Sequence, residues 1–170
     1  MSIRTVLTLP AVLALALPAS AGVASASSAA PPACRESALT VAAHASDRPG
    51  TVRISITNRA QHACAVDRIP TVVFGDLDGP AMPVPEGTSG PYSVSAGGSA
   101  YAAVRTLDPD ATDLRVVDRL TVAGSPAHRG RTFDAASLGS PDGIQVWEPV
   151  TTWWHRSQAT ADAALDRYTG

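Results

Sequence analysis

TVRISIT, residues 51–57, is the segment of the 170-residue chain that decides its fold class. Val52, Ile54 and Ile56 alternate there with polar residues. Alternation with a period of two places apolar side chains on one face of an extended strand and polar side chains on the other. The segment therefore predicts a β-strand with one buried face and one face in water.

Short apolar segments before and after residues 51–57 have a similar character, and turns rich in glycine or proline separate them. Predicted strands cover residues 38–44, 64–66, 71–75, 92–96, 99–107 and 114–122, with a further β-rich stretch at 144–154. Many short strands with closely spaced turns are typical of an antiparallel sandwich. We therefore predict an all-β fold, an immunoglobulin-like (Ig-like) antiparallel β-sandwich with a short C-terminal helix.

The helix is predicted in the C-terminal tail, residues 155–170, where alanine, aspartate and arginine become frequent. Apolar or aromatic positions recur there at intervals of three and four residues, namely Ala161, Ala164, Leu165 and Tyr168. This spacing is typical of an amphipathic helix. Ser157 and Thr160 are candidates for its N-terminal cap.

The first 26 residues have the pattern of a secretory signal peptide. Arg4 precedes an apolar run over residues 6–17, and small-residue cleavage sites end at Ala21 and Ala26. A retained membrane anchor is the alternative, but the run is shorter than the roughly 20 residues that span a bilayer. We therefore predict a secreted protein whose signal peptide, residues 1–26, is removed near Ala21 or Ala26.

After cleavage, residues 27–33 form a short flexible leader of small residues and proline, and residues 34–154 form the folded domain. Lipid attachment at Cys34, the first cysteine, is an alternative. It is disfavoured because the apolar run ends well before Cys34 and the residues that precede it are Pro31-Pro32-Ala33.

Cys34 and Cys64 are the chain's two cysteines. Outside the cell such a pair is expected to be oxidised, and two cysteines allow one pairing. A metal pair and free thiols remain as alternatives. His62 lies two residues before Cys64, but the chain lacks the closely spaced cysteine pairs of zinc sites. We therefore predict a structural disulfide between Cys34 and Cys64.

Charge argues against two classes of function. The 13 basic residues are all arginine and are balanced by 15 acidic residues, for a net charge of −2. Nucleic-acid binders usually have a strongly basic footprint, which this chain lacks. After residue 30 no apolar run is long enough to cross a membrane. We therefore expect neither a nucleic-acid partner nor a membrane span in the secreted protein.

Motifs for catalysis or metal binding do not stand out in the sequence. The nucleophile elbow G-x-S-x-G is missing. Asp76 and Asp78 begin a segment that resembles a calcium loop only faintly, because no glutamate completes it. The histidines lack the close spacing of metal-binding pairs, and they are His44, His62, His128 and His155. We expect a protein that is not an enzyme, with no catalytic residues, no metal and no cofactor.

Several short motifs resemble those of the DUF4232 family, a group of secreted or lipid-anchored actinobacterial domains of unknown function. The matching pieces are Cys34 with Leu39, the strand end Ile56-Thr57-Asn58, the segment from Cys64 to Pro70, and the turn at 96–100. Arg68 stands where the family usually has glycine, and the second cysteine pair often seen in such domains is missing. The resemblance implies an Ig-like sandwich and secretion, and it implies no activity and no site residues.

The strongest hint of function is aromatic, because Trp147, Trp153 and Trp154 are the only tryptophans and lie close together in the sequence. Tryptophan is enriched in binding hot spots, but it also packs well at the edge of a small sandwich. Trp153 and Trp154 are adjacent and so point to opposite faces of a strand. We predict a non-catalytic binding module for an extracellular protein or a cell-wall polymer, with these tryptophans as candidate binding surface. The alternative is an inhibitor of an extracellular protease that presents the proline-rich loop at residues 80–91.

Overall fold

The computed structural model describes residues 30–169, which form mainly β-strands. The predicted signal peptide and the start of the leader lie outside the described residues. In chain order the elements are β1 (Leu39–Ala45), β2 (Thr51–Asn58), β3 (Cys64–Asp67), β4 (Thr71–Phe74), β5 (Met82–Val84), β6 (Pro91–Val94), β7 (Ser99–Arg105), β8 (Arg115–Val117), β9 (Arg119–Ala123), β10 (Arg131–Asp134), β11 (Ile144–Val146), β12 (Val150–Thr152) and helix α1 (Gln158–Thr169). Short 3-10 helices precede β1 and follow β10.

The segment at residues 51–57 forms β2, an interior strand of the larger sheet, which has the order β1-β2-β7-β12-β5. β2 pairs antiparallel with β1 on one side and with β7 on the other. Val52, Ile54 and Ile56 are buried, and their polar neighbours are partly exposed, as the alternation predicts. β5 is added at the edge of this sheet, parallel to β12.

Three smaller antiparallel sheets complete the strand pairing, with the orders β10-β9-β4, β11-β8 and β3-β6. Val72 and Phe74 from β4, with Leu120 and Val122 from β9, are fully buried. They belong to the same apolar cluster as the buried face of β2. The predicted all-β composition is therefore confirmed, with one core shared between the sheets.

The predicted disulfide is confirmed. Cys34 and Cys64 are bonded with an S–S distance of 2.03 Å, and both are buried. The N–H of Ala65 donates to the carbonyl of Pro32 at 2.8 Å, and the N–H of Cys34 donates to the carbonyl of Ala65. The bridge and these bonds join the start of the folded domain to β3.

The predicted C-terminal helix is confirmed as α1. The N–H of Thr160 donates to Ser157 Oγ at 3.2 Å, so Ser157 provides the cap. Ala161 and Leu165 are buried against Ala103 of β7, which places the helix on the larger sheet. Tyr168 is 50% exposed, so the buried part of the apolar stripe ends before it. A tyrosine hydroxyl is readily hydrated, which makes this exposure inexpensive.

Three strand predictions need correction. Strands β5 and β10 lie in segments where no strand is predicted from the sequence. The single strand predicted over residues 114–122 is divided at Asp118 into β8 and β9. The division follows from pairing, because β8 pairs with β11, whereas β9 lies between β4 and β10.

In the part of the chain that the structure describes, no helix has the length and apolar character needed to cross a membrane.

Candidate functional site

The three tryptophans do not form one surface. Trp154 is 3% exposed and belongs to the main apolar cluster, so its side chain lies in the core. Trp153 is half-buried beside the segment that follows β5. Trp147 is half-buried and lines a separate cleft.

Trp153 is enclosed by the chain that follows β5. Its indole Nε1–H donates to the carbonyl of Pro85 at 3.0 Å. The guanidinium of Arg68 lies over its ring at 5.1 Å from the centroid, within the range of a cation–π contact. Gly87 lies so close to the ring that a Cβ there would overlap it. Trp153 therefore acts as packing for this loop.

The exposed part of the loop is residues 86–89. Beyond it, the N–H of Arg68 donates to the carbonyl of Gly90 at 2.7 Å. Ser89 Oγ donates to the carboxylate of Asp67. Together with the bond from Trp153 to Pro85, these contacts fix both ends of the exposed segment. The predicted inhibitory loop at 80–91 is thus a short exposed segment between β5 and β6.

Trp147 lines an apolar cleft of about 480 Å³, which we call the Trp147 cleft. Its walls come from the end of β4 and the turn after it, from β5, from β8, and from the connection between β11 and β12. Their residues are Phe74, Leu77, Asp78, Gly79, Pro80, Met82, Arg115, Val146, Trp147, Glu148 and Pro149. Met82 is 61% exposed, which is unusual for so apolar a side chain. The cleft therefore offers apolar surface to a ligand.

The position of Trp147 follows from the path of the chain. β11 pairs with β8, whereas β12 joins the larger sheet, so the chain crosses between sheets at residues 147–149. The N–H of Trp147 donates to the carbonyl of Thr106 at 3.0 Å, and its carbonyl accepts the N–H of Asp108. Glu148 has φ of 46°, a left-handed value that no other non-glycine residue described here has. The crossing thus holds the indole at the rim between two sheets.

Charged groups surround the apolar surface. Asp78, Arg115 and Glu148 line the cleft and are exposed. None of the three forms an ion pair with another residue of the described chain. Their charges are therefore available to a ligand. Sequence reasoning missed these three residues and Met82. Two of the four have a signal in the sequence, because Glu148 directly follows Trp147 and Met82 is the last methionine of the chain.

Residues with shifted pKa values lie outside the cleft. Burial lowers the pKa of His155, and the nearby Arg167 adds to this effect. Burial raises the pKa of Tyr92. Hydrogen bonds from the backbone N–H groups of Gly130 and Arg129 lower the pKa of Glu36. None of these titrating groups lines the Trp147 cleft.

Among residues 30–169, no three side chains of histidine, cysteine, aspartate or glutamate come together in a way that could hold a metal ion.

A second cleft of about 630 Å³ lies between residues 45–52 and residues 138–145, and it contains no tryptophan. The sequence marks it only by glycine and proline in the two turns that border it.

The family model described as "Domain of unknown function (DUF4232)" matches residues 34–154, which is most of the chain. No curated protein and no solved structure matches the chain. The matched range begins at the first disulfide cysteine and ends at the buried Trp154. The chain therefore belongs to the DUF4232 family.

Proposed function

We propose that this protein is an extracellular, non-catalytic binding module with an Ig-like β-sandwich fold, and that it holds its ligand in the Trp147 cleft. The observation that carries the proposal is the cleft itself, where a half-buried indole and an exposed Met82 border an apolar cavity of about 480 Å³. Concave apolar sites with a few polar groups at the rim are typical of binding sites.

Two features support the compartment and the fold. A buried disulfide is expected in an oxidising environment, in agreement with the signal-peptide pattern of residues 1–26. The larger sheet and the β10-β9-β4 sheet contribute side chains to one core cluster, which favours two stacked layers. An Ig-like sandwich is the fold that best accounts for this arrangement.

The lining of the cleft favours a protein partner. Phe74, Leu77, Met82 and Pro149 present little hydrogen-bonding capacity, and polysaccharide hydroxyl groups need many hydrogen-bond partners when they are buried. An apolar side chain of a protein loses no hydrogen bonds on entering such a site. We therefore propose an extracellular protein as the ligand, and a cell-wall polymer is the alternative that the experiment distinguishes.

The test compares wild type, Trp147→Ala and Tyr168→Ala, each immobilised and exposed to secreted proteins or to purified cell-wall material of the producing organism. Tyr168 is an exposed aromatic residue on α1 and does not line the cleft, so it is the matched control. We expect Trp147→Ala alone to lose the retained protein, with thermal unfolding showing that each variant is folded. Equal retention by wild type and Trp147→Ala would contradict the proposal, and Trp147-dependent retention of cell-wall material would identify a polymer ligand.

A second candidate function, inhibition of an extracellular protease, is favoured by one observation. The exposed segment at residues 86–89 is fixed at both ends by contacts of Trp153, Arg68 and Asp67. A segment ordered in advance loses less conformational entropy on binding to a protease cleft. Inhibition of a serine or cysteine protease at micromolar protein, weakened by Trp153→Phe, would support this function. An absence of inhibition across a protease panel would remove it.

A further inference from the structure

We propose that the ligand is an extended polypeptide segment that adds to the free edge of β8 as a strand and places one apolar side chain in the Trp147 cleft. This inference rests on the proposed binding function and names the partner and its conformation. It depends on three features of the structure, which are a gap in a sheet, an unpaired strand edge and the position of the cleft beside β8.

The gap arises where β4 ends. β4 pairs with β9, and the N–H of Gly75 donates to the carbonyl of Arg119 at 2.9 Å. At Gly75 the backbone has φ of 51°, and the chain turns away from the sheet. β8 and β9, in contrast, are consecutive segments of the chain with only Asp118 between them. The sheet therefore loses a strand at the position beside β8.

One edge of β8 has no strand beside it in the described part of the chain. Within residues 30–169, β11 is the single strand that pairs with β8. The carbonyl of Asp118 accepts the N–H of Ala135 at 2.7 Å, so the residue that follows β10 lies beside Asp118. Unpaired N–H and C=O groups at a strand edge are a template for another strand.

Other features of β8 make this edge suitable for pairing. Leu114 and Val116 are 42% and 57% exposed, although both are apolar. Neither proline nor lysine, the usual protection of an exposed edge, occurs in the segment. β5, the edge strand of the larger sheet, differs because Pro83 has no N–H to donate. β8 is therefore the more favourable site for strand addition.

The cleft lies next to β8. Arg115 of β8 lines the Trp147 cleft, and side chains of a strand alternate between faces. A strand beside β8 would thus direct every second side chain towards the cleft face and the others towards Leu114 and Val116. In such complexes, main-chain hydrogen bonds give affinity and a pocket for alternate side chains gives specificity.

Charge distinguishes a partner from a second copy of this chain. Asp78 and Glu148 outnumber Arg115 at the rim, which favours a segment that carries lysine or arginine beside its apolar residue. Two copies paired through β8 would bring these carboxylates towards each other. We therefore assign the site to a different polypeptide with an alternating apolar pattern and a basic residue.

The test uses random 12-residue peptides displayed on phage, selected on the full secreted protein and counter-selected on Trp147→Ala. Selected sequences are synthesised and titrated into ¹⁵N-labelled protein. Each peptide is also made with single N-methylated backbone amides, which removes one hydrogen-bond donor without altering the side chains. The protein stays unmodified in this series, so folding of variants does not affect the result.

We expect selected peptides to shift the amide signals of Leu114–Val117 and to lose roughly fivefold or more in affinity when alternate amides are methylated. Binding that depends on Trp147 but tolerates methylation at every position would overturn strand addition and leave the proposed function intact. Failure to select any peptide that prefers wild type over Trp147→Ala would also overturn the inference, and retention on the immobilised protein then decides the proposed function separately. Dimers that form in the absence of peptide and are lost in Val116→Asp would overturn the choice of partner.

Discussion

The indole N–H of Trp153 donates a hydrogen bond to the carbonyl of Pro85 at 3.0 Å. This contact joins the end of β12 to the loop that follows β5, across 68 residues of sequence. Gly87 lies against the ring and leaves no room for a side chain there. One tryptophan thus holds the proline-rich segment in place, and this role leads to the first prediction.

Trp153→Phe removes the donor and keeps an aromatic ring beneath Arg68. We expect a loss of about 1 kcal/mol in the free energy of unfolding, the usual value of one hydrogen bond. Limited proteolysis within residues 86–89 should become faster. Trp147→Phe, the same change away from this loop, is the control, and equal cleavage rates in the two variants would contradict the prediction.

Trp154 leads to a different prediction because its buried Nε1–H has no acceptor among the described residues. An unsatisfied buried donor costs about 1–3 kcal/mol. Trp154→Phe removes the donor together with some packing, so we expect the free energy of unfolding to change by less than about 1 kcal/mol. Trp154→Ala should cost about 3–5 kcal/mol. Urea unfolding measures both, and equal losses would mean that the indole N–H has an acceptor.

Strands with strong local patterns are the part of the fold that the sequence predicts well. β2 alternates along its full length and is buried on one face. β5, a three-residue strand with a proline at its centre, has no such pattern. Its extended form depends on pairing with β12, more than 60 residues later. Pairing of this kind is a tertiary effect that local propensity does not include.

The candidate site is predicted only in part for the same reason. Tryptophan content identifies Trp147, Trp153 and Trp154 as candidates, but composition does not separate a core indole from one at a cleft. That separation depends on where β4 ends, just before Gly75, and where the chain crosses between sheets at Glu148. Both are properties of strand pairing over long sequence distances, so they emerge only with the structure.

Removal of the disulfide is expected to lower stability. The bridge closes a loop with a sequence separation of 30 residues. On the chain-entropy model this restricts the unfolded state by about 3.5 kcal/mol. A variant with both Cys34→Ala and Cys64→Ala should lose about that amount in urea unfolding, and wild type under reducing conditions should behave in the same way. An unchanged unfolding midpoint would contradict the prediction.

Stability should also fall in mild acid because of His155. Burial holds the pKa of His155 below its ordinary value of 6.5 in the folded protein. Between the lowered pKa of the folded protein and the ordinary 6.5 of the unfolded chain, the unfolded chain binds more protons. The free energy of unfolding therefore keeps its full contribution from His155 above pH 6.5 and loses it as the pH drops through the folded pKa. Glu36, whose pKa is also lowered, acts in the same direction in a more acidic range, below its ordinary 4.5.

Thermal unfolding between about pH 7 and pH 5 measures the effect of His155. His155→Gln removes the titrating group while the backbone can retain its bonds with Tyr101. We expect this variant to show a smaller decrease in midpoint temperature than wild type. His44→Gln, at an exposed position, is the control. A variant His155→Gln with the full wild-type decrease would exclude His155 as the cause.

Glu148 provides a prediction that joins stability to binding. Its φ of 46° is unfavourable for a residue with a side chain and favourable for glycine. We therefore expect Glu148→Gly to increase the free energy of unfolding by about 1 kcal/mol. Glu86→Gly, at an exposed position without positive φ, should decrease it. A decrease in both variants would contradict a strained backbone at Glu148.

The same Glu148→Gly variant removes a carboxylate from the rim of the Trp147 cleft. We expect it to bind selected basic peptides more weakly than wild type despite its higher stability, because it lacks one of the charges that face the basic residue. Titration at two salt concentrations measures this loss, which should shrink at high salt because exposed charges are screened. Greater stability together with weaker binding would mean that this strained position is kept for its ligand contact.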